Sequence, residues 1–318
     1  MTVSRKSLPT KLALAGAGAL AGRAAFRAAF PLQAKSVNGK RVLVTGAASG
    51  VGRLLAIELA KRGSKLVLWD IQAELLEETK RLVLDAAPRA VVRITVMNLA
   101  AREDIERETA ALLEQADDPI DVIVNNAGVI SGKYLTEVSP DRMELTMKIN
   151  VLAHMHIVRA ILPSMVSRDS GHIVAVTSVA GLIGASGMVD YAASKFGARG
   201  FCEALAIELH ERKIHGVKVS CICPTLIDTG LFNGFYVPMN PTLKTIDVVN
   251  AIIDAVEYEQ ELVVLPAWLK VSTVLLKSVL MAMGYLGIKT PFDSPMKNFD
   301  DSQAERAFRA ISAGQSRL

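Results

Sequence analysis

Short runs of β-branched and aliphatic residues alternate with longer segments of helical periodicity from residue 41 onward. Each run is apolar almost throughout, which is typical of strands that are covered on both faces. We therefore predict an α/β fold with a doubly wound parallel sheet between two layers of helices. The predicted strands are Arg41–Thr45, Lys65–Trp69, Val91–Val96, Asp121–Asn125, His172–Thr177, Lys218–Ile222 and Leu262–Pro266, and the predicted helices include Arg53–Arg62, Ala73–Leu84, Arg142–Met165 and Tyr191–Glu211.

The distribution of charge divides the chain into three parts. Residues 1–43 contain eight of the 36 basic residues and no acidic one, which leaves 28 basic residues against 32 acidic ones in the remainder. The formal net charge of +4 thus belongs to the N-terminus and does not indicate nucleic-acid binding. We expect a basic, hydrophobic segment at 1–36, one folded domain at 37–266 and a tail at 267–318. The three cysteines indicate a reducing compartment.

A glycine-rich turn joins the first predicted strand to the first predicted helix. Glycines let the backbone approach a ligand closely, and the N–H groups of a helix N-terminus attract phosphate. We interpret this turn as the pyrophosphate cradle of a Rossmann-like dinucleotide-binding fold, although a tight strand–helix corner would have similar residues. The residues expected to contact the cofactor are Thr45, Gly46, Ser49, Gly50, Val51 and Gly52.

An acidic residue, Asp70, ends the second predicted strand, 18 residues after Gly52. A carboxylate at this place can accept hydrogen bonds from both adenosine ribose hydroxyls and repels a 2′-phosphate. Neither Ser49 nor the Ile71-Gln72 pair supplies a compensating base. We therefore expect NAD and not NADP as the cofactor, the alternative being that Asp70 is a helix N-cap.

Further polar motifs follow the later strands. Asn125-Asn126-Ala127-Gly128 follows the fourth strand, Ser178 follows the fifth, and Tyr191 precedes Lys195 by four residues, with Asn150 between the first two motifs. Together with the glycine turn, this set resembles the short-chain dehydrogenase/reductase family over about residues 38–265. The resemblance implies a single catalytic domain that transfers hydride between an alcohol carbon and a nicotinamide cofactor.

The spacing of Tyr191 and Lys195 places both side chains on one face of a helix. A free tyrosine has a pKa near ~10 and is a poor base at neutral pH. We expect the Lys195 ammonium and the positive ring of the oxidised cofactor to lower the pKa of Tyr191. Tyr191 could then take a proton from an alcohol, or donate one to a carbonyl in the reverse reaction.

The resemblance assigns roles to further residues. It implies that Ser178 holds the substrate oxygen, that Asn150 orders a water in the proton path, and that Lys195 also binds the nicotinamide ribose. Asn98 stands where relatives carry an aspartate that meets the adenine amine, and its carbonyl can still accept that bond. The catalytic set implied is Asn150, Ser178, Tyr191 and Lys195, and the cofactor contacts implied beyond the glycine turn are Asp70, Asn98, Asn126, Ala127, Gly128, Tyr191, Lys195, Pro224 and Thr229. His154 and His156 are interpreted as helix residues, with no metal site expected.

The segment Leu226–Thr245 lies where relatives place a mobile loop over the substrate. It is rich in aliphatic and aromatic residues and contains only two charged ones, Asp228 and Lys244. Such a loop favours a lipophilic alcohol over a sugar or hydroxy acid. Four stretches resemble the subgroup of retinol dehydrogenases and 17β-hydroxysteroid dehydrogenases of the endoplasmic reticulum and lipid droplets: Trp69-Asp70, residues 126–132, residues 223–230 and the apolar tail through Leu276-Lys277-Ser278.

The two flanking segments indicate association with a membrane. Leu12–Gly22 is an uncharged run of 11 residues with basic residues on both sides, too short to span a bilayer as a helix. It favours an anchor or re-entrant hairpin facing the cytoplasm; a mitochondrial presequence and a cleaved signal peptide are alternatives. Ala267–Leu286 reads as an amphipathic helix that could lie in a membrane interface or pack against protein.

We therefore expect a NAD-dependent dehydrogenase of a lipophilic alcohol, acting at a membrane or lipid-droplet surface. A homodimer is implied by the resemblance alone. Two other functions are compatible with the residues: a non-catalytic NAD-binding scaffold or lipid-binding protein, and a reductase of small polar carbonyls.

Overall fold

Seven parallel strands form one sheet in the order β3-β2-β1-β4-β5-β6-β7. The computed structural model describes residues 34–114, 117–229, 242–270 and 300–315. The strands are β1 (Arg41–Thr45), β2 (Lys65–Asp70), β3 (Val92–Val96), β4 (Val122–Asn125), β5 (Gly171–Val176), β6 (Val217–Pro224) and β7 (Leu262–Leu265). The predicted doubly wound sheet is confirmed, with strand ends displaced by at most a few residues.

Helices cover both faces of this sheet. In the described part of the chain they are α1 (Gly50–Lys61), α2 (Ala73–Ala86), α3 (Arg102–Leu113), α4 (Pro140–Met147), α5 (Ala153–Ser167), α6 (Val189–Glu211), α7 (Thr245–Glu257) and α8 (Ser302–Gln315). Strand β1 shows why the apolar runs do not alternate with polar residues. Leu43 packs into the core on one face, whereas Val42 and Val44 pack into the core on the other. Successive side chains point to opposite faces, so a strand covered on both faces is apolar throughout.

The predicted helix Arg142–Met165 is interrupted. Ser139 caps the N-terminus of α4 by accepting a hydrogen bond from the backbone N–H of Arg142, and Pro140 takes the first helical position. A π-helical turn at Lys148–Leu152 then separates α4 from α5. This turn spans only five residues within a longer helical stretch, so the periodicity of the whole segment does not mark it.

The combined stretch Pro140–Ser167 is also the one helical segment, within the described ranges, that is long and apolar enough to cross a membrane. Half of its apolar window is buried inside the protein. Ile157, Ile161 and Met165 are fully buried in the core beside the sheet. These contacts are those of a core helix of the α/β fold.

The C-terminal helix α8 was not predicted from the sequence. It packs against α4, where Arg142 forms an ion pair with Glu305 and its guanidinium lies 5.4 Å from the centre of the Phe308 ring. Ile311 is buried in the same core cluster as Met97, Leu99 and Leu145. Three predicted segments lie wholly or mostly outside the described residues: the N-terminal anchor, much of the substrate loop Leu226–Thr245 and most of the helix Ala267–Leu286.

The strand order reverses direction between β1 and β4. The connection from β1 leads outward to β2, and the connection from β4 leads outward in the opposite direction to β5. In sheets of this kind a crevice forms at the carboxyl ends of the two strands where the order reverses. The glycine turn after β1 and the Asn125-Asn126-Ala127-Gly128 motif after β4 lie at this crevice.

Candidate active site

A cavity of about 500 Å³ opens along the carboxyl ends of the strands. Its wall runs from the glycine turn, past the ends of β2 and β3, to the residues that follow β5 and β6. The sequence-predicted residues that line it are Gly46, Ser49, Val51, Asp70, Asn98, Asn126, Ala127, Gly128, Ser178, Tyr191, Lys195, Pro224 and Thr229. The cavity thus brings together motifs that are up to 183 residues apart in the sequence, from Gly46 to Thr229.

The glycine turn is held against the end of β4. Gly46 has a φ of +66°, and a Cβ atom there would lie 2.8 Å from the Cα atom of Ala127. Only glycine therefore fits this close approach. Asn126 donates its side-chain amide to the carbonyl oxygens of Thr45 and Gly46, at 3.0 and 3.2 Å.

Three of the residues expected at the cofactor do not line the cavity: Thr45, Gly50 and Gly52. The Thr45 hydroxyl is fully buried and accepts hydrogen bonds from the backbone N–H groups of Asn126 and Ala127, at 3.0 and 3.1 Å. Its side chain ties β1 to β4. The cofactor contact expected of Thr45 stays a prediction.

Asp70 lies at the end of β2 with its carboxylate largely committed to the backbone. One oxygen accepts from the N–H of Ala48 at 2.9 Å, and the other accepts from the N–H of Gln72 at 3.0 Å. Burial raises the pKa of Asp70, and the hydrogen bonds from Gln72, Ala48 and Ile71 oppose that rise. Each carboxylate oxygen can accept a further bond, so Asp70 can still receive ribose hydroxyls.

Two arginines near this end of the cavity were absent from the sequence argument about the cofactor. Arg53 on α1 exerts an electrostatic attraction on Asp70, while its guanidinium donates to the Ala48 carbonyl and to Glu78. Arg306 on α8 lines the cavity itself. Residues adjacent to Asp70 in the sequence supply no base, and folding brings Arg53 near Asp70 and Arg306 to the cavity wall.

Asn98 is positioned by two hydrogen bonds. Its side-chain oxygen accepts from the N–H of Ala100 at 2.9 Å, and its side-chain amide donates to the carbonyl of Ile311 at 3.1 Å. The side-chain oxygen keeps one free lone pair for an adenine amine. The second bond joins β3 to α8, a contact between residues 213 positions apart.

The four residues of the expected catalytic set are buried close together. Tyr191 hydrogen-bonds Ser178 through its side chain, and the ammonium nitrogen of Lys195 lies 5.5 Å from the centre of the Tyr191 ring. Lys195 donates to the carbonyl of Val176 at 3.1 Å, which fixes the ammonium beneath the ring. A Cβ atom on Gly128 would lie 3.3 Å from both Lys195 Nζ and Asn150 Oδ1, so glycine leaves room for these two groups.

The protein's own groups raise the pKa of Tyr191. Burial is the main cause, and the hydrogen bond to Ser178 lowers the pKa only in part. The protein's own groups therefore do not produce the expected lowering of the Tyr191 pKa. Burial also lowers the pKa of Lys195 to about 8, since an ammonium loses hydration in this pocket.

Asn150 lies in the π-helical turn and does not line the cavity. Its side-chain oxygen accepts from the N–H of Val129 at 2.9 Å, and its amide donates to the Val129 carbonyl and to the Ser194 hydroxyl, both at 2.9 Å. Through these three hydrogen bonds Asn150 fixes the loop after β4 against α6. Ser194 was missed in the sequence, although it stands directly before Lys195.

Cys221 and Cys223 lie on one face of β6, because successive side chains of a strand alternate between its two faces. Both sulfur atoms contact the Thr177 hydroxyl, at 3.3 and 3.1 Å, and they lie 3.7 Å from each other. Their partner Thr177 also donates to the Ile222 carbonyl. Thr177, which directly precedes Ser178, is thus held against β6.

Comparison with known proteins identifies the family. A short chain dehydrogenase family model matches residues 40–236. The chain is 38% identical over 263 residues to epidermal retinol dehydrogenase 2 of Mus musculus, covering 80% of this chain and 84% of the relative. The chain belongs to the short-chain dehydrogenase/reductase family. It is also 39% identical over 237 residues to estradiol 17-beta-dehydrogenase 11 of Homo sapiens, covering 74% of this chain and 78% of the relative.

Solved structures of family members agree with the fold. A Burkholderia phymatum short-chain dehydrogenase/reductase in complex with NAD has a TM-score of 0.69 and 25% identity, covering 81% of this chain and 98% of its own. A metagenomic short-chain oxidoreductase in complex with NADP has a TM-score of 0.62 and 25% identity, covering 72% and 97%. The protein is therefore an oxidoreductase whose fold binds a nicotinamide cofactor, NAD or NADP.

The residues present fit such a cofactor. The cavity is continuous from the turn at Gly46 to Lys195, and at Gly46 a side chain would fill the space where the backbone approaches most closely. Asp70 and Asn98 lie at one end, and Ser178 and Tyr191 lie at the other. The adenosine half would lie against the first pair and the nicotinamide half beside the second.

Proposed function

We propose that the protein is a NAD-dependent dehydrogenase of lipophilic alcohols with Tyr191 as the general base and acid. The observation that carries the proposal is the placement of Ser178, Tyr191 and Lys195 at one end of a continuous cavity whose other end contains Asp70. The same site therefore contains a group that can transfer a proton and a cleft large enough for the cofactor.

Each residue of the site has a separate task in this mechanism. A bound oxidised nicotinamide would supply the acceptor for the hydride of the carbon that carries the hydroxyl. Tyr191 takes the hydroxyl proton through its phenol oxygen, and Ser178, already hydrogen-bonded to Tyr191, orients the substrate oxygen. Lys195 stabilises the phenolate electrostatically from 5.5 Å below the ring. Asn150 is a positioning residue that holds the loop at Val129 and the helix at Ser194.

Both the comparisons and the charges on the wall support a lipophilic substrate. The charged residues on the described wall of the cavity are Asp70, Lys195 and Arg306. At the catalytic end of this described wall, the charged residue is Lys195, which is buried and donates to Val176. The relatives named above are retinol and estradiol dehydrogenases. A neutral, largely apolar alcohol is the class that these features favour.

We further propose that the protein acts at a membrane or lipid-droplet surface, with 1–36 as an anchor, 37–266 as the catalytic domain and 267–318 as a tail. The basic, weakly apolar N-terminus and the apolar substrate loop in the sequence support this placement. A homodimer is proposed on the family resemblance. Flotation of the full chain with vesicles tests the membrane proposal, since a protein that stays in the aqueous fraction would contradict it.

A substrate panel tests the proposed reaction. Purified full-length protein is mixed with NAD and a retinoid, steroid or long-chain alcohol, and NADH formation is followed at 340 nm. We expect turnover with at least one lipophilic alcohol and a smaller kcat/KM with sugars and small hydroxy acids. Cofactor binding without turnover would favour a non-catalytic scaffold, and preference for small polar carbonyls would favour the polar-substrate reductase.

Asp70→Ala tests the cofactor preference. Loss of charge-assisted hydrogen bonds to the ribose is expected to weaken NAD binding by about 1–3 kcal/mol and to weaken NADP binding less. Titration of protein fluorescence with each cofactor measures both dissociation constants. Asp85→Ala is the matched control, because Asp85 lies at the surface of α2 and contacts Arg81. Tighter binding of NADP than NAD by the unaltered protein would contradict the proposed preference.

A further inference from the structure

The C-terminal helix α8 is fixed to the catalytic domain near both of its ends. Near its N-terminus, Glu305 pairs with Arg142 and with Lys133, the latter at 3.4 Å, and Asp301 pairs with Lys133 at 3.0 Å. Arg142 is buried, so its partner Glu305 neutralises a charge that would otherwise lack hydration. Toward the other end, the Ile311 carbonyl accepts from Asn98. A helix held by these contacts has a defined position over the cavity.

One face of α8 forms part of the cavity wall. Arg306, Ala310 and Ile311 line the cavity together with Asp70 and Asn98. Residues 306 and 310 are one helical turn apart and share a face, whereas Glu305 and Phe308 contact α4. The cavity at its adenosine end is thus bounded by α8 as well as by the strand ends.

Arg306 is the cationic group on this face. Its side chain is exposed to solvent at the cavity, and it attracts Asp300 electrostatically. The planar guanidinium binds phosphate oxygens with paired hydrogen bonds, and its position on an ordered helix reduces the entropy lost on binding. The ligand chemistry that matches an arginine beside an adenosine-binding wall is a nucleotide phosphate.

We propose that α8 is a cofactor-binding element that closes the adenosine half of the cleft, with Arg306 binding a phosphate group of the cofactor. This inference rests on the proposed function in that it requires a dinucleotide in the cavity. The phosphate is either the diphosphate common to NAD and NADP or the 2′-phosphate of NADP alone. The two are distinguished by the ligands used below.

The test is the binding of two cofactor fragments to full-length Arg306→Ala. ADP-ribose carries the diphosphate alone, and 2′-phospho-ADP-ribose carries both groups; isothermal titration calorimetry gives each dissociation constant without any turnover. We expect Arg306→Ala to weaken binding by about 5- to 20-fold, the effect of one charge-assisted bond at an exposed site. An equal loss for both fragments assigns Arg306 to the diphosphate, and a loss for 2′-phospho-ADP-ribose alone assigns it to the 2′-phosphate.

Arg309→Ala is the matched control, because Arg309 is an exposed arginine on the same helix that does not line the cavity. We expect it to bind both fragments as the unaltered protein does. Equal affinities for Arg306→Ala and the unaltered protein, or equal losses for Arg306→Ala and Arg309→Ala, would overturn the role of Arg306. If the unaltered protein binds neither fragment, the proposed dehydrogenase function itself fails. If it binds them and Arg306→Ala binds them equally well, only the role of Arg306 fails.

Hydrogen exchange measures the closing role of the helix. Saturating ADP-ribose is expected to slow amide exchange of residues 302–315 in the unaltered protein by at least several-fold. In Glu305→Gln, which removes the charge opposite Arg142 and Lys133, the helix is expected to exchange faster and ADP-ribose to bind more weakly. Exchange of α8 that does not respond to saturating ADP-ribose in the unaltered protein would show that the helix takes no part in binding.

Discussion

Tyr191→Phe is expected to lower kcat for alcohol oxidation by about 10²–10⁴-fold, the usual contribution of a positioned general base. The substitution removes only the phenol oxygen, and the ring that packs in the small core cluster with Ile130 and Met188 is retained. The protein should therefore fold normally and bind the cofactor with nearly unchanged affinity. Stopped-flow measurement of NADH formation, beside a fluorescence titration with NAD, separates the chemical step from binding.

Tyr134→Phe is the matched control for this substitution. Tyr134 is an exposed tyrosine that does not line the cavity, so its loss of a hydroxyl should leave kcat within about twofold. A Tyr191→Phe protein that retains more than a tenth of the original kcat would contradict the role of Tyr191. Loss of NAD binding in that variant would instead assign Tyr191 to the cofactor site alone.

Acidification from pH 7.5 to pH 5 is expected to reduce the free energy of unfolding by about 4 kcal/mol through two buried histidines. Burial, aided by the nearby Lys195 ammonium, lowers the pKa of His154 to about 3. Burial lowers the pKa of His172 to about 4, with Lys35 and Lys218 acting in the same direction and Glu259 opposing them. In the unfolded chain, both residues titrate near ~6.5.

The direction of this change in stability follows from whether the folded or the unfolded state binds the protons. Between pH 6.5 and about 4, the unfolded chain protonates these histidines while the folded protein keeps them neutral. Stability is therefore complete above pH 6.5 and falls as the pH drops, by about 2 kcal/mol per histidine at pH 5. Urea unfolding at the two pH values, followed by circular dichroism, measures the difference.

His154→Asn should remove about half of this pH dependence, even if the variant is less stable at every pH. His210→Asn is the control, since His210 lies exposed near the end of α6, in edge-to-face contact with His215. It should leave the pH dependence as in the unaltered protein. An unchanged difference between pH 7.5 and pH 5 in His154→Asn would contradict the assignment of this effect to His154.

The strands and the parallel sheet that they form could be predicted from the sequence because each signal is local. The apolar run within Lys65–Asp70 indicates a strand that is buried on both faces. The glycine turn indicates a place where the backbone comes close to another group. The four-residue spacing of Tyr191 and Lys195 likewise follows from one helical turn. Local patterns of this kind determine the parallel sheet, the place of the cofactor turn and the pairing of the Tyr and Lys side chains.

The environment of those residues was decided only by the tertiary structure. The pKa of Tyr191 depends on how completely the surrounding elements exclude water, and burial in the folded chain raises it. Asp70 is attracted by Arg53 on α1, and the cavity that Asp70 lines receives a second cation, Arg306, from α8. Burial and electrostatic attraction act over distances in space, so a residue far away in the sequence can decide them.

The sequence by itself determined that this chain forms a doubly wound α/β domain with the residue set of a short-chain dehydrogenase/reductase. The tertiary structure decided that Thr45 ties two strands together, that Asn150 is fixed in a π-helical turn, and that α8 borders the cofactor cavity through Asn98. The physical reason is that a motif consists of residues that are close together in the sequence, so the sequence alone displays it. The hydrogen bond between Asn98 and Ile311, by contrast, joins groups 213 residues apart that only folding brings within 3.1 Å.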